Sequence, residues 1–166
     1  MLRAIAVFAM KSDRYQYLIN TDVNCIFIRH TGIVNQDIIV QRGEEVSRAP
    51  SYRPNLNRLI DLRGCDIDLN RDALMHVVNM MQKASISRGS YTELLLVDSL
   101  LAHGVVRMLL SLMDDREVSY TILHASDPEL EVKIRISLGF PRDFQIPSFI
   151  SMPSSKSDSE STTVSD

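Results

Sequence analysis

A short run of apolar residues, TELLLVD (Thr92–Asp98), lies between two segments whose apolar residues recur at helical spacing. Such a run, without alternating polar positions, is typical of a strand that is buried on both faces. Two further strand-like runs, Asn57–Gly64 and Ser119–Ala125, are each followed by a helical pattern. Because strands that are separated by helices pair in parallel through right-handed crossovers, we expect a largely parallel sheet with helices packed on it.

The first two strand-like runs of the chain predict an antiparallel hairpin. Two strand-like runs, Tyr15–Asn20 and Cys25–Gly32, are joined by the polar segment Thr21–Asn24. Asn35 follows and is placed to cap a helix over Gln36–Ser47, because its side-chain oxygen can accept a hydrogen bond from a backbone N–H of the first turn.

Three more helices are predicted downstream. Asn70 caps a helix from Arg71 to about Ser87, Ser99 begins a helix that runs to Asp115, and Asp127 caps a last helix that starts with Pro128. In the third helix the spacing predicts one buried set of apolar residues: Leu101, Val105, Met108, Leu109 and Leu112. The predicted fold class is therefore α/β, with a mixed, mostly parallel sheet of about five strands and four helices packed on it, in the order β-β-α-β-α-β-α-β-α.

The chain has 166 residues, enough for one domain, and the composition of its two ends differs from that of the middle. Residues 1–14 are predicted to be an N-terminal extension or an extra strand, and residues 15–140 form the domain. Residues 141–166 are rich in serine, threonine and acidic groups, and we expect a disordered tail, because such a segment buries too little to offset its ordering entropy.

Composition excludes several classes of function. The net charge is −3 and the basic residues are scattered, which argues against nucleic-acid binding by phosphate neutralisation. The apolar run in MLRAIAVFAM is shorter than a membrane span, so no stable membrane insertion is expected. The two cysteines, Cys25 and Cys65, lack the spacing of a disulfide framework or metal site. Reduced thiols fit a cytoplasmic location.

Three stretches together resemble the STAS superfamily, the fold of the SpoIIAA-like anti-sigma-factor antagonists. The first is RAPSYRPNLNRLIDLRGCDIDLNRDAL (Arg48–Leu74), in which a proline-containing turn leads into a strand that ends with L-I-D-L-R-G. The second is LLLVDSLLAHGVVRMLLSL (Leu94–Leu112), and the third is the last strand with its D-P-E helix start. The resemblance covers about Tyr15 to Phe140, and it implies a protein that binds other proteins in regulation or signalling.

The chain departs from those antagonists at the helix start that carries their phosphorylated serine. The corresponding residues, 66–71, contain no hydroxyl group. The resemblance therefore implies binding without the usual phosphorylatable serine, at a partner-binding surface formed by Asp66, Asp68, Asn70, Arg71 and Asp72.

A second group of polar residues is a candidate anion or ligand pocket. Asp61 and Arg63 lie two apart on a strand and so point to the same side, at the carboxyl end where open α/β sheets bind ligands. Ser99, His103 and Arg107 repeat at four-residue spacing on one face of a helix. The simpler alternative is that Asp61 accepts hydrogen bonds from its loop, Arg63 extends to water and Ser99 only caps its helix.

No catalytic set, metal site or cofactor motif is recognisable, so we predict a protein that is not an enzyme and that needs no cofactor. The four histidines, His30, His76, His103 and His124, lack ligand spacing. The predicted function is a non-catalytic regulatory module that binds another protein and that could also form a homodimer. The alternative is a carrier of a small apolar ligand or lipid, with a cavity between helices and sheet beside Met80, Met81 and Met108.

Overall fold

The computed structural model describes residues 7–12, 15–113 and 117–150. Within them the chain forms eight strands and four helices. The strands are β1 (Val7–Ser12), β2 (Tyr15–Asn20), β3 (Cys25–His30), β4 (Gly32–Asn35), β5 (Asn57–Asp61), β6 (Cys65–Asp68), β7 (Tyr91–Val97) and β8 (Val118–His124). The helices are α1 (Gln36–Ser47), α2 (Arg71–Arg88), α3 (Leu100–Ser111) and α4 (Leu130–Leu138).

Six of these strands form one sheet in the order β1-β2-β3-β5-β7-β8. The pairs β1–β2 and β2–β3 are antiparallel, and β3–β5, β5–β7 and β7–β8 are parallel. The predicted α/β class, the hairpin and the mostly parallel sheet with four helices are confirmed. The strand β1 adds a sixth member to the sheet, and it lies in the segment for which an extension or an extra strand was expected.

The helix starts show why the local sequence folds as it does. The side-chain oxygens of Asn35 and Asn70 accept hydrogen bonds from the backbone N–H groups of Ile38 (3.0 Å) and Ala73 (2.9 Å). The hydroxyl of Ser99 does the same for Ala102 at 3.1 Å. Each bond satisfies a donor that has no partner inside its helix, and this confirms the predicted caps of α1, α2 and α3.

One face of the sheet packs on α4 and on the segment that follows it. Leu59, Leu94 and Leu96 are fully buried there, together with Ile134 of α4. Residues 141–150 belong to this core too, because Ile150 is only 2% exposed and Phe144, Ile146 and Phe149 pack against the same cluster. The folded domain therefore extends at least ten residues beyond the predicted boundary at 140, and residues 151–166 of the predicted tail lie outside the described residues.

The other face of the sheet carries α1, α2 and α3 and a second, two-stranded sheet. This small parallel sheet joins β4 to β6, with Gly32 opposite Cys65. The sequence prediction treated both segments as loops, because strands of four residues carry little signal. In the sequence CDIDL, however, apolar and acidic residues alternate as they do in a strand. In the structure residues 65, 67 and 69 are partly buried, and residues 66 and 68 are exposed.

The predicted buried face of α3 is confirmed for Leu109, and for Val105 in part, and is wrong for Leu101, Met108 and Leu112. Ala102, Val106 and Leu109 are buried, whereas Leu101 and Met108 are 73% and 47% exposed. The helix is apolar on nearly all sides, so its periodicity fits more than one orientation, and the small and β-branched residues are the ones that face the sheet. The described part of the chain contains no helix that is long and apolar enough to cross a membrane.

The start of α4 also differs from the prediction. The helix begins at Leu130, and Asp127 and Pro128 form the turn that precedes it rather than its cap and first position. Asp127 still organises this start: it accepts a hydrogen bond from the backbone N–H of Glu129 at 2.9 Å and forms a 2.6 Å ion pair with Lys133.

The packing of residues 141–150 predicts that Ile150 contributes to stability. Ile150→Ala should lower the free energy of unfolding by about 2–5 kcal/mol, the range for buried isoleucine, because it removes apolar contacts and leaves a void. Urea unfolding of the full chain measures this. The matched control is Ile136→Ala, at a position that is 76% exposed, where the change should stay within about 0.5 kcal/mol. Equal effects at the two positions would contradict the observed packing.

Candidate functional site

The carboxylate of Asp61 is fully buried at the carboxyl end of β5, between two arginines. Its Oδ2 accepts hydrogen bonds from Arg29 and Arg63, each at 2.7 Å, and its Oδ1 accepts from the Nε (2.8 Å) and the backbone N–H (3.1 Å) of Arg63. Arg29 also donates to the carbonyl of Phe149 at 3.2 Å. Both oxygens are therefore engaged within the fold, and Asp61 and Arg63 form an internal ion pair rather than the walls of an open pocket.

The three other residues of the predicted anion pocket lie on α3 and its cap. Ser99 uses its hydroxyl as the helix cap, His103 is half-buried and Arg107 is exposed. The loop nearest to Arg63 is fixed independently of them, because the N–H of Gly64 donates to Asp98 at 2.8 Å. Gly64 has a φ of +73°, which favours glycine where the chain turns from β5 into β6.

The residues predicted to bind a partner lie together along one exposed stretch. Asp66 and Asp68 are the outward-facing residues of β6, and Asn70, Arg71 and Asp72 form the exposed start of α2. Asp72 lies in the first turn of α2, where a negative charge interacts favourably with the helix dipole. The structure thus gives these five residues a common surface, and their role in binding stays a prediction.

A cavity of about 130 Å³ lies between the sheet and helices α1, α2 and α3. Its lining is mostly aliphatic, and each helix contributes: Ile39 from α1, Met80 and Met81 from α2, and Val106 and Leu109 from α3. Of the three methionines that the sequence placed beside such a cavity, Met80 and Met81 do line it. Met108 is exposed and is not among the lining residues, because α3 is rotated relative to the predicted face.

Two buried polar groups meet at one end of this cavity. Arg42 of α1 contacts Nδ1 of His30, and its guanidinium lies 4.7 Å from the centre of the Tyr15 ring. Burial, together with the charge of Arg42, lowers the pKa of His30 to about 3, although Asp61 acts in the opposite direction. The imidazole is therefore neutral, and its Nδ1 accepts a hydrogen bond from the guanidinium of Arg42.

A second polar pair lines the cavity from the sheet itself. Arg58 on β5 and Glu93 on β7 are opposite each other in the parallel register, with Nη1 of Arg58 3.8 Å from Oε2 of Glu93. The Arg58 guanidinium lies 4.9 Å from the centre of the Tyr91 ring. Burial lowers the pKa of Arg58, but Glu93, Tyr91 and Tyr52 together outweigh it and raise that pKa, so the side chain stays charged.

The sequence prediction missed these lining charges, although signals for them exist. Arg58 and Glu93 lie two residues before Ile60 and Leu95, and so on the same side of their strands as these apolar residues. Arg42 lies on the apolar face of α1, at helical spacing from the other residues that point to the sheet. A charge at a position that the pattern assigns to the core needs a buried partner or a ligand.

The lowered pKa of His30 predicts that acid destabilises the protein. Below pH 6.5 the unfolded chain protonates this histidine while the folded chain does not, so the free energy of unfolding decreases as the pH falls from 6.5 towards 3, by about 1.4 kcal/mol per pH unit. Urea unfolding at pH 6.5 and 4.5 should show a loss about 2 kcal/mol larger for the wild type than for His30→Asn, which keeps an acceptor but does not titrate. The same loss in both proteins would show that His30 is not buried neutral.

Comparison with known proteins gives one similar structure. No protein-family profile and no curated protein matches the chain. A crystal structure at 2.25 Å resolution, of an uncharacterized protein of the DUF3478 family from Shewanella loihica PV-4, is 16% identical to it. The similarity covers 84% of this chain and 94% of that one, with a TM-score of 0.43. That protein is described as having a SpoIIAA-like fold.

Proposed function

We propose that this protein is a non-catalytic module that binds a small, largely apolar molecule in the cavity between the sheet and helices α1, α2 and α3. The observation that carries the proposal is the cavity itself, with Met80 and Met81 in its wall. Ligand sites in proteins are usually concave and apolar, with a few polar groups that fix the orientation of the ligand. Of the two functions that the sequence predicted, the cavity favours the carrier of an apolar ligand.

The volume of the cavity sets the size of the molecule. About 130 Å³ is close to the volume of an engineered apolar cavity, about 150 Å³, that binds benzene. An apolar body of about six non-hydrogen atoms would fill it on this comparison. The unbranched, polarizable side chains of Met80 and Met81 can adjust to ligands of somewhat different shape.

The chemistry around the predicted polar residues supports a role without catalysis. A general base or nucleophile must reach a substrate, yet the Asp61 carboxylate is buried and occupied by two arginines. Ser99, the hydroxyl-bearing residue of the predicted anion pocket, is engaged as a helix cap. The cytoplasmic location remains a prediction from the composition.

Benzene is the simplest probe of the cavity. At saturating benzene the melting temperature of the wild type should rise by several degrees, because a ligand that binds only the folded state stabilises it and each kcal/mol raises the melting temperature of a domain of this size by about 2–4 °C. Val106→Phe extends a lining residue into the cavity and should abolish the rise while the protein remains folded, as monitored by circular dichroism.

The control is Leu101→Phe on the same helix, at a position that is 73% exposed and does not line the cavity. It should respond to benzene as the wild type does. No rise in the wild type, or the same rise in wild type and Val106→Phe, would overturn the proposed site.

A second candidate function is binding of another protein at the surface of α3. Leu100 and Leu101 are 84% and 73% exposed and Met108 is 47% exposed, and exposed apolar clusters commonly mark interaction sites. The helix packs beside β6, whose outward residues Asp66 and Asp68 belong to the predicted partner surface. The observation that favours this function is an exposed apolar surface with acidic residues next to it.

This candidate is tested by purifying the tagged protein gently from its own cells and measuring what co-purifies by native mass spectrometry. A specific partner, which includes a second copy of the chain, should be lost when Leu101 and Met108 are both replaced by Ser. The matched control is Ile86→Ser, at an 89% exposed position on α2. Equal retention by the double variant would argue against the α3 surface.

A further inference from the structure

The cavity is lined by more positively charged residues than negatively charged ones. Arg42, Arg58 and Arg88 are cationic, whereas Glu93 is the only lining residue in the described chain that carries a negative charge. The contact of Arg42 with the neutral His30 leaves its positive charge in place. Glu45 lies close enough to affect the pKa of Tyr15, but it lines a separate outer groove, and even with it the cations outnumber the anions.

Arg58 is a buried charged residue whose side chain can still donate a hydrogen bond. Its side chain is 11% exposed, and its ion pair with Glu93 is long, at 3.8 Å. Its Nε is buried and has no hydrogen-bond partner among the described residues. A buried donor without a partner is unfavourable, and an anionic oxygen placed beside Nε would give it one.

Arg58 and the two methionines reach the cavity from different elements. The Arg58 guanidinium is on the sheet side, over the ring of Tyr91, whereas Met80 and Met81 belong to α2. A molecule between sheet and helices can therefore contact the Arg58 guanidinium and the two methionines at the same time. An arginine held rigidly in this way is well suited to recognise a planar carboxylate.

We propose that the ligand of this cavity is a small amphipathic monoanion, with a carboxylate held by Arg58 and an apolar body against Met80 and Met81. The proposal rests on the proposed function and adds the chemical class of the ligand. A single negative charge fits the small excess of cations, and the volume limits the apolar body to about the size of a six-carbon chain or ring.

Three probes that share one alkyl chain and differ in the head group test the proposal: hexanoate, hexanol and hexylamine. Isothermal titration calorimetry with the full chain at pH 7 should give at least tenfold tighter binding of hexanoate than of hexanol, and the weakest binding for hexylamine. The double variant Arg58→Gln with Glu93→Gln removes both charges of the pair, so that no buried charge is left alone. It should bind hexanol as the wild type does and lose the preference for hexanoate.

The control variant is Arg107→Gln, which removes an exposed cation of α3 outside the cavity lining and should leave the preference intact. If hexanol binds as tightly as hexanoate, the carboxylate class is overturned, and if the double variant keeps the preference, the contact with Arg58 is overturned; the proposed function stands in both cases. If benzene leaves the melting temperature of the wild type unchanged, the proposed site fails, and this proposal, which rests on it, fails too.

Discussion

The carboxyl end of the sheet depends on the buried carboxylate of Asp61. Its two oxygens connect Arg29 on β3 with Arg63 after β5, and Arg29 in turn holds the carbonyl of Phe149. A buried charge without a partner would cost several kcal/mol. The native positions of Asp61, Arg29 and Arg63 therefore depend on one another. The last described residues are joined to this arrangement through the hydrogen bond between Arg29 and the carbonyl of Phe149.

The two faces of the sheet are covered in different ways. On the α4 side, Phe27, Phe140 and Phe144 fill the space, with ring centres 5.0–5.9 Å apart. On the other side, three helices leave about 130 Å³ unfilled and enclose the charges of Arg58 and Glu93. A void of this volume costs about 3 kcal/mol on the scale of core truncations, and buried charges add to it. A bound molecule would offset part of both costs, which is the physical basis of the proposed ligand site.

Signals that are local in sequence predicted most of the fold. Asn35, Asn70 and Ser99 each mark a helix start through their own side chains, and the parallel order follows from the alternation of strands and helices. The remaining features arise between segments that are distant in sequence. The strands β4 and β6 pair with each other although Gly32 and Cys65 are distant in sequence, and α3 is apolar on too many sides to fix its own rotation. Arg58 and Glu93 become a pair only when β5 and β7 are neighbours, so the cavity charges could not be assigned from single stretches.

The asymmetry between the two faces has a mechanical consequence. Hydrostatic pressure favours the state of smaller volume, and the volume decrease on unfolding, roughly 20–100 mL/mol in proteins, scales with the internal void that is eliminated. Among the described residues, the cavity between sheet and helices lies on the side of α1, α2 and α3, whereas buried aromatic and aliphatic side chains pack together under α4. We therefore expect the three-helix layer to be the part of the fold that yields first under pressure.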